Sequence, residues 1–210
     1  MSEYKLYCVG ESGNCYKVAL MLNVCGCDWQ PVFVDYFGGE TRGEKYRDSL
    51  NELGEVPVLE HAGRRLTQSG AILTWLADRV GRYGGRDEHE RLEILRWMLF
   101  DNHKFTSYYA TLRFLKGIVK SGDPAVLEFL RGRALGAFAI VDKHLAKQPF
   151  LLGAEPTIAD FSLAGYQYYD EESGIDRDTF PHLTAWTRRI AQLPGWKHPY
   201  DLMPRGAPNR

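Results

Sequence analysis

Residues 1–80 alternate between strand-like and helix-like patterns, which restricts the fold more than any other feature of the sequence. The order is strand, helix, strand, helix, strand, strand, helix, with strand-like runs at 5–9, 31–34, 56–60 and 64–67. A strand, a helix and a second strand imply a parallel pair joined by a right-handed crossover. The turn His61-Ala62-Gly63 joins the last two strands and predicts a hairpin. These residues therefore predict a compact α/β domain.

Beyond this domain the strand-like patterns disappear. The segment from Gly81 to Asp87 is polar and rich in glycine, as expected of a linker. Apolar residues with helical spacing then recur over 88–120, 124–147, 158–169 and 181–192. The sequence therefore predicts two domains, an α/β domain over residues 1–80 and an all-helical domain over residues 88–210.

Composition and charge exclude several classes of protein. A formal net charge of −1 and the lack of a basic run interleaved with aromatic residues argue against a nucleic-acid partner. No stretch approaches the roughly 18 uninterrupted apolar residues of a membrane-spanning helix, and residues 1–10 do not resemble a signal peptide. The four cysteines, at positions 8, 15, 25 and 27, lack the spacing of zinc ligands and fit a reducing compartment. We therefore expect a cytoplasmic protein with no metal ion and no membrane partner.

Three motifs carry the candidate chemistry, and each lies where a predicted element begins. Ser12 precedes the first helix, where the backbone amides and the helix dipole favour a negative charge. Its hydroxyl can donate a hydrogen bond to a thiolate, although a serine at this place is also a common helix cap. Ser69 opens the third predicted helix, which suits a carboxylate as well as a cap. Val56-Pro57 enters a strand, where proline removes a backbone donor.

Segments in both predicted domains together resemble the cytosolic glutathione transferases, bacterial members in particular. They are Leu6-Tyr7, Ser12 to Val18, Val56 to Leu59, Gln68 to Ile72, Phe150 to Gly153 and Thr157 to Asp160. The resemblance implies a thioredoxin-like N-terminal domain that binds glutathione as a co-substrate, and a helical-bundle C-terminal domain that shapes the pocket for a second substrate. It further implies a detoxifying transferase, active as a homodimer, that directs the glutathione thiolate at a small hydrophobic electrophile.

The resemblance also implies roles for individual residues. Ser12 would hydrogen-bond the glutathione sulfur, like the serine of the theta and zeta classes. Val56, joined to Pro57 through a cis peptide bond, would pair its backbone with the cysteinyl residue as an added strand does. Gln68 and Ser69 would hold the carboxylate and the amine of the γ-glutamyl residue.

The segments expected at the glycyl end of glutathione depart from the family pattern. Thr41 stands where delta and theta members carry a histidine, and Glu55 stands where many members carry lysine or glutamine. An acid beside the glycyl carboxylate is unfavourable, and Arg42 is the candidate for compensating it. These departures leave open a different class of function, a glutathione-transferase fold retained as an interaction module without catalysis.

Two residues close to Ser12 keep a second activity open. Ser12 and Asn14 resemble the Thr-x-Asn of the nu class, whose members tend towards glutathione-dependent disulfide reduction. Cys15 aligns near the cysteine that beta-class members use to form mixed disulfides. We expect Ser12 to be the main sulfur contact, ahead of Asn14 and Cys15. An isomerase of the zeta type is disfavoured, because its doubled Ser-Ser-Cys is here Ser12-Gly13-Asn14.

The pocket for the second substrate is expected along the first long helix of the helical domain, on the cleft between the domains. Phe105, Tyr108 and Tyr109 supply aromatic side chains there, although such a stripe is more often core than pocket. Tyr108 and Tyr109 are adjacent and point in different directions, so we do not expect both to be core. Asp101 interrupts an apolar stretch, and the resemblance implies that it reaches across a dimer to the γ-glutamyl amine.

Overall fold

A computed structural model describes residues 2–169 and 173–206 of the chain. The chain divides into two compact units. The N-terminal unit comprises the residues up to Arg82 together with those from Leu193 onwards, and the helical unit comprises Tyr83–Gln192. No helix in the described ranges is long and apolar enough to cross a membrane.

The N-terminal unit is built on a four-stranded mixed sheet. Its strands are β1 (Tyr4–Cys8), β2 (Trp29–Phe33), β3 (Val58–His61) and β4 (Arg64–Thr67), in the order β2-β1-β3-β4. β2 is parallel to β1, whereas β3 is antiparallel to β1 and β4 is antiparallel to β3. The predicted parallel pair and hairpin are therefore confirmed, and the thioredoxin-like fold with them.

The N-terminal unit also contains helices. They are α1 (Gly13–Val24), α2 (Glu44–Ser49) and α3 (Ser69–Val80), with a 3₁₀ turn over Glu40–Arg42. α1 is buried on nearly all sides because it contacts both β1 and α3, which explains its dense apolar sequence. α3 buries only one stripe, formed by Ile72, Leu73, Leu76 and Ala77, as the spacing of its apolar residues predicts.

The helical unit contains no strand among its described residues. Its helices are α4 (Glu88–Phe100), α5 (Thr106–Arg113), α6 (Pro124–Leu145), α7 (Ile158–Ala164) and α8 (Pro181–Ile190). The helix predicted over 88–120 is interrupted by two π-helical turns, at Asp101–Phe105 and Phe114–Ile118. Phe138 lies at the centre of the core, with its ring 4.9 Å from that of Phe105 and 5.1 Å from that of Tyr109.

The C-terminal segment, residues 193–206, belongs to the N-terminal unit. The helical unit therefore ends at Gln192, earlier than the range 88–210 expected for the helical domain. It contains the short helix α9 (Pro199–Leu202), which packs on α1. The Tyr16 hydroxyl donates to the carbonyl of Lys197 over 2.9 Å, and the Gly10 amide donates to the carbonyl of Pro204 over 2.7 Å. These contacts explain why a segment that follows the helical unit in sequence belongs to the other unit.

Candidate functional site

Strand register brings the three sequence motifs to one edge of the sheet. Tyr7, near the end of β1, is paired with Val58, the first residue of β3, and Val58 is paired with Thr67, the last residue of β4. The loop that follows β1, the segment that precedes β3 and the residue that follows β4 therefore lie side by side. These three places hold Ser12, Val56-Pro57 and Gln68-Ser69.

Ser12 caps α1 at this edge. Its Oγ accepts a hydrogen bond from the amide of Cys15 over 3.3 Å, and its carbonyl accepts from the amide of Tyr16 over 3.0 Å. A hydroxyl that accepts through a lone pair can still donate its own proton to a second partner. Ser12 is half-buried, and the first turn of α1 carries no acidic side chain that would neutralise the positive end of the helix. The cap and the ligand contact predicted for Ser12 are therefore compatible.

Cys15 is unsuited to redox chemistry in this structure. The side chain is fully buried in α1, and this burial raises the pKa of the thiol to about 12 although hydrogen bonds with Ser12 and with the backbone of Val9 lower it. The thiolate, rather than the thiol, is the reactive form of cysteine. Asn14, by contrast, is half-exposed on the first turn of α1 and stays a candidate for contact with a ligand.

The Val56–Pro57 peptide bond is cis, as expected. Val56 lies two residues before β3, so its backbone does not belong to the strand ladder. The preceding carbonyl, that of Glu55, accepts hydrogen bonds from the Tyr46 hydroxyl and the Asn51 side-chain amide, each over 2.9 Å. Tyr46 and Asn51 are both buried, and they fix the segment that leads into the edge.

Gln68 has an unusual backbone conformation immediately before α3, with φ of 66° and ψ of 112°. A non-glycine residue at positive φ is uncommon, and residues in sparsely populated backbone conformations tend to cluster at functional sites. Its side-chain Nε2 donates to Oε2 of Glu55 over 2.8 Å. Ser69 follows as the first residue of α3, whose first turn carries no acidic side chain. This helix terminus is accordingly suited to an anionic group.

The two residues predicted for the glycyl end differ in their exposure. Thr41 is only 2% exposed, which argues against a contact between its side chain and the glycyl end. Its carbonyl packs against Gly54, where φ is +67° and a Cβ would come within 2.8 Å of that oxygen. Arg42 is exposed at the end of the 3₁₀ turn and stays a candidate.

Asp101 is fully buried in the helical unit, in the first π-helical turn. Its Oδ1 accepts from the Thr106 hydroxyl over 2.5 Å, and its Oδ2 accepts from the Ser162 hydroxyl over 2.6 Å. A carboxylate in the interior with both oxygens hydrogen-bonded is satisfied there and cannot reach another subunit. The expectation that it contacts a γ-glutamyl amine across a dimer is therefore wrong.

The aromatic residues predicted for the pocket divide into core and surface. Phe105 and Tyr109 are buried against Phe138, so for these two the core alternative is correct. Tyr108 is half-exposed, and its hydroxyl accepts from Nη2 of Arg133 over 3.3 Å. It lines a groove between α5 and α6 together with Lys104 and Arg133, and it alone of the three stays a candidate for contact with a small molecule.

Sequence reasoning missed the residues that support this edge. Glu11, next to Ser12, is 5% exposed, and its Oε2 accepts from the amide of Gly206 over 2.9 Å. Tyr46 and Asn51 were not predicted either, since they act through the Glu55 carbonyl and no local pattern marks them. No group of three or more histidine, cysteine or acidic residues that could hold a metal occurs in the ranges described.

The chain combines a thioredoxin-like unit with a helical unit, and its candidate site lies at the starts of α1, β3 and α3. These features define a class of two-domain proteins. Comparison with known sequences identifies that class. The N-terminal domain of glutathione S-transferases matches residues 2–78, and their C-terminal domain matches residues 124–189. The chain therefore belongs to the glutathione S-transferase family.

Individual relatives agree with this assignment. The chain is similar to a glutathione S-transferase from Pseudomonas fluorescens Pf-5 of known structure, with a TM-score of 0.86 and 33% identity over 93% of this chain and 98% of that one. It is 31% identical to maleylacetoacetate isomerase from Rhizobium meliloti (strain 1021), over 100% of this chain and 98% of the relative. It is 25% identical to the disulfide-bond oxidoreductase YfcG of Escherichia coli, over 86% of this chain and 87% of that protein.

Proposed function

We propose that this protein is a glutathione transferase that binds glutathione at the edge formed by Ser12, Val56 and Gln68 and directs its thiolate at a hydrophobic electrophile. The observation that carries the proposal is the half-buried Ser12 hydroxyl at the N-terminus of α1. Strand register sets it beside the cis Val56-Pro57 segment and the start of α3. The detoxifying role expected from the sequence belongs to the same proposal.

Ser12 supplies the central chemical step. A free thiol has a pKa of about 8.5, so only a few per cent of it is ionised at neutral pH. Lowering that pKa by roughly two units stabilises the thiolate by about 2.7 kcal/mol and makes it the main species. The Ser12 O–H donates to the sulfur, and the positive end of α1 adds to the effect. The thiolate then forms a bond to an electrophilic carbon, and the leaving group departs with its electron pair.

The rest of glutathione is held by backbone and side-chain groups of the same edge. The Val56 backbone pairs with the cysteinyl residue in an extended conformation. Ser69 and the first amides of α3 receive the γ-glutamyl carboxylate, because this helix terminus carries no acid of its own. Arg42, which is exposed, serves the glycyl carboxylate. Tyr108 is the residue of the helical unit that we assign to the second substrate.

Glutathione-dependent disulfide reduction is the second candidate activity. The similarity to the oxidoreductase YfcG and the half-exposed Asn14 favour it. The burial of Cys15 argues against a mixed disulfide formed on this chain. Two glutathione molecules would then have to supply the two thiols that reduce one disulfide. The similarity to maleylacetoacetate isomerase extends over the whole chain, but the sequence Ser12-Gly13-Asn14 lacks the doubled serine and the cysteine of that motif.

We also propose that the protein is a cytoplasmic homodimer. The four cysteines are free, which fits a reducing compartment. Leu92, Leu95 and Leu99 are each more than half exposed and lie on one face of α4. Contiguous exposed apolar surface is a feature of protein interfaces, which supports assembly through this face of α4.

Turnover with three substrates tests the proposed activity. The purified protein is given glutathione with an aromatic halide, with hydroxyethyl disulfide or with maleylacetoacetate. Conjugation of the halide, in preference to the other two reactions, is the expected result. Turnover of the disulfide alone would replace the transferase with a reductase. Failure to bind glutathione at millimolar concentration would leave the non-catalytic interaction module in its place.

A further inference from the structure

We propose that Glu55 recognises the ammonium group at the γ-glutamyl end of glutathione, together with Gln68. This inference rests on the proposed function and adds a residue that determines specificity at the same site. The sequence places Glu55 where an acid would repel the glycyl carboxylate, whereas its side chain in the structure is directed at Gln68, over 2.8 Å from Oε2 to Nε2.

The need for a negative charge follows from the chemistry of the ligand end. A γ-glutamyl residue carries a carboxylate and an ammonium on the same carbon atom. The start of α3 suits the carboxylate, but its amides repel a cation. The side chains of Gln68 and Ser69 carry no charge, so the ammonium needs a counter-charge from a neighbouring segment. Glu55 brings one within hydrogen-bond distance of Gln68.

The remaining acceptors suit an ammonium. Because Gln68 donates to Oε2 of Glu55, the other carboxylate oxygen is left as an acceptor, and so is Oε1 of Gln68. An –NH₃⁺ group has three donors, and two adjacent acceptors of which one is charged satisfy most of them. Both side chains are exposed, so a ligand can reach them.

Buried groups keep Glu55 in position. Its carbonyl accepts from the Tyr46 hydroxyl and from the Asn51 side chain, and both donors belong to buried residues. The amide of Gly54, the preceding residue, donates to the carbonyl of Asn51 over 2.9 Å. The backbone is thus fixed, and the side chain needs to lose only its own rotamer freedom when the ligand binds.

Binding of three related thiols tests the assignment in the full-length protein. The probes are glutathione, a desamino analogue in which glutaryl replaces γ-glutamyl, and γ-glutamylcysteine, which lacks the glycyl residue. The variant is Glu55→Gln, which keeps size and hydrogen bonding but removes the charge. The matched control is Glu52→Gln, an exposed glutamate of the same segment between α2 and β3. Calorimetry gives Kd for each pair, and thermal unfolding confirms that both variants fold.

We expect Glu55→Gln to weaken the binding of glutathione and of γ-glutamylcysteine about tenfold. The desamino analogue should bind the unaltered protein and Glu55→Gln with Kd values that agree to about twofold, since it has no ammonium group to recognise. Glu52→Gln should change nothing.

Equal weakening with all three thiols, or no weakening, would overturn the role of Glu55. Tighter binding of glutathione by the variant, absent with γ-glutamylcysteine, would place Glu55 at the glycyl end instead. If the unaltered protein binds none of the thiols, the proposed function itself fails, and this outcome is distinct from the others.

Discussion

Burial determines how fast each cysteine in α1, and just after it, reacts with an alkylating agent. Cys15 is fully buried with a thiol pKa of about 12, whereas Cys25 is half-exposed with a pKa raised by burial to about 11. We predict that iodoacetamide modifies Cys15 in the folded protein more slowly than Cys25 or Cys27. Because the thiolate reacts, the rates of modification of Cys15 and Cys25 should each rise about tenfold per pH unit between pH 7 and pH 10 without a plateau.

Mass spectrometry of the alkylated protein measures this difference, and Cys15→Ala provides the control. We expect that variant to keep glutathione turnover within about twofold and to lose roughly 1–2 kcal/mol of stability through the small cavity left behind. Rapid modification of Cys15 at pH 7 with parallel loss of activity would return Cys15 to the mechanism.

At the scale of the residue, sequence predicted where the candidate site residues lie within the elements. Ser12 and Ser69 lie at helix starts, and the Val56–Pro57 bond is cis as the thioredoxin-like pattern implies. Side chains whose direction depends on packing were not predictable. Asp101 and Thr41 are polar, but the structure buries both. The partners of Asp101 are Ser162, which is distant in sequence, and Thr106, which follows a π-helical turn that no local pattern marks.

Among the elements, α7 depends on a buried carboxylate. Oδ1 of Asp160 accepts from the amide of Leu151 and from Nε1 of Trp186, and Oδ2 accepts from the amide and the hydroxyl of Thr157. In an asparagine, an NH₂ group would replace one of the two carboxylate oxygens. This NH₂ group would face two hydrogen-bond donors and could accept from neither. We predict that Asp160→Asn lowers the free energy of unfolding by about 3 kcal/mol.

Urea denaturation measures this loss, and Asp123→Asn is the matched control. Asp123 is exposed and caps α6 through a single oxygen, a role that asparagine performs equally well. Its effect should stay below about 0.5 kcal/mol. If both variants lose the same free energy of unfolding, the buried hydrogen bonds of Asp160 contribute no more stability than an exposed helix cap.

The C-terminal segment acts as an element of the candidate site. Pro204 accepts from the Gly10 amide, and Gly206 donates to Glu11, so both residues that precede Ser12 are held by it. We predict that a chain ending at Met203 exchanges the Gly10 amide proton faster, because the acceptor is gone. The same truncation should raise KM for glutathione and lower the free energy of unfolding by about 1–3 kcal/mol. Unchanged exchange at Gly10 would contradict this role of the segment.

For the whole molecule, α4 bears on the state of assembly. Leu92, Leu95 and Leu99 expose 58%, 51% and 61% of their surface, respectively. We predict that the protein sediments as a dimer and that Leu95→Glu combined with Leu99→Glu yields monomers. Leu53→Glu, at a residue 48% exposed in the N-terminal unit, is the control and should not affect assembly. A monomeric unaltered protein would remove the homodimer from the proposal.

The order of elements over the whole chain was predictable because each unit has its own hydrophobic period. Alternating strands and helices give way to helices alone after the linker, and the structure follows this change. The return of residues 193–206 to the N-terminal unit was not predictable, since it depends on hydrogen bonds with Gly10, Glu11 and Tyr16 that span most of the chain. Long-range contacts of this kind leave no periodic pattern in the sequence.

The pKa of the bound glutathione thiol tests most directly whether Ser12 stabilises the thiolate. The ultraviolet absorbance of the thiolate measures this pKa. Titrations compare the unaltered protein with Ser12→Ala, which lacks the hydroxyl, and Ser12→Thr, which retains one. We predict a pKa of about 6.5 for the unaltered protein, close to that value for Ser12→Thr, and a pKa at least about one unit higher for Ser12→Ala, in which only the positive end of α1 still stabilises the thiolate, with glutathione still bound. The same pKa in all three proteins would contradict the assignment of Ser12 as the donor that stabilises the thiolate.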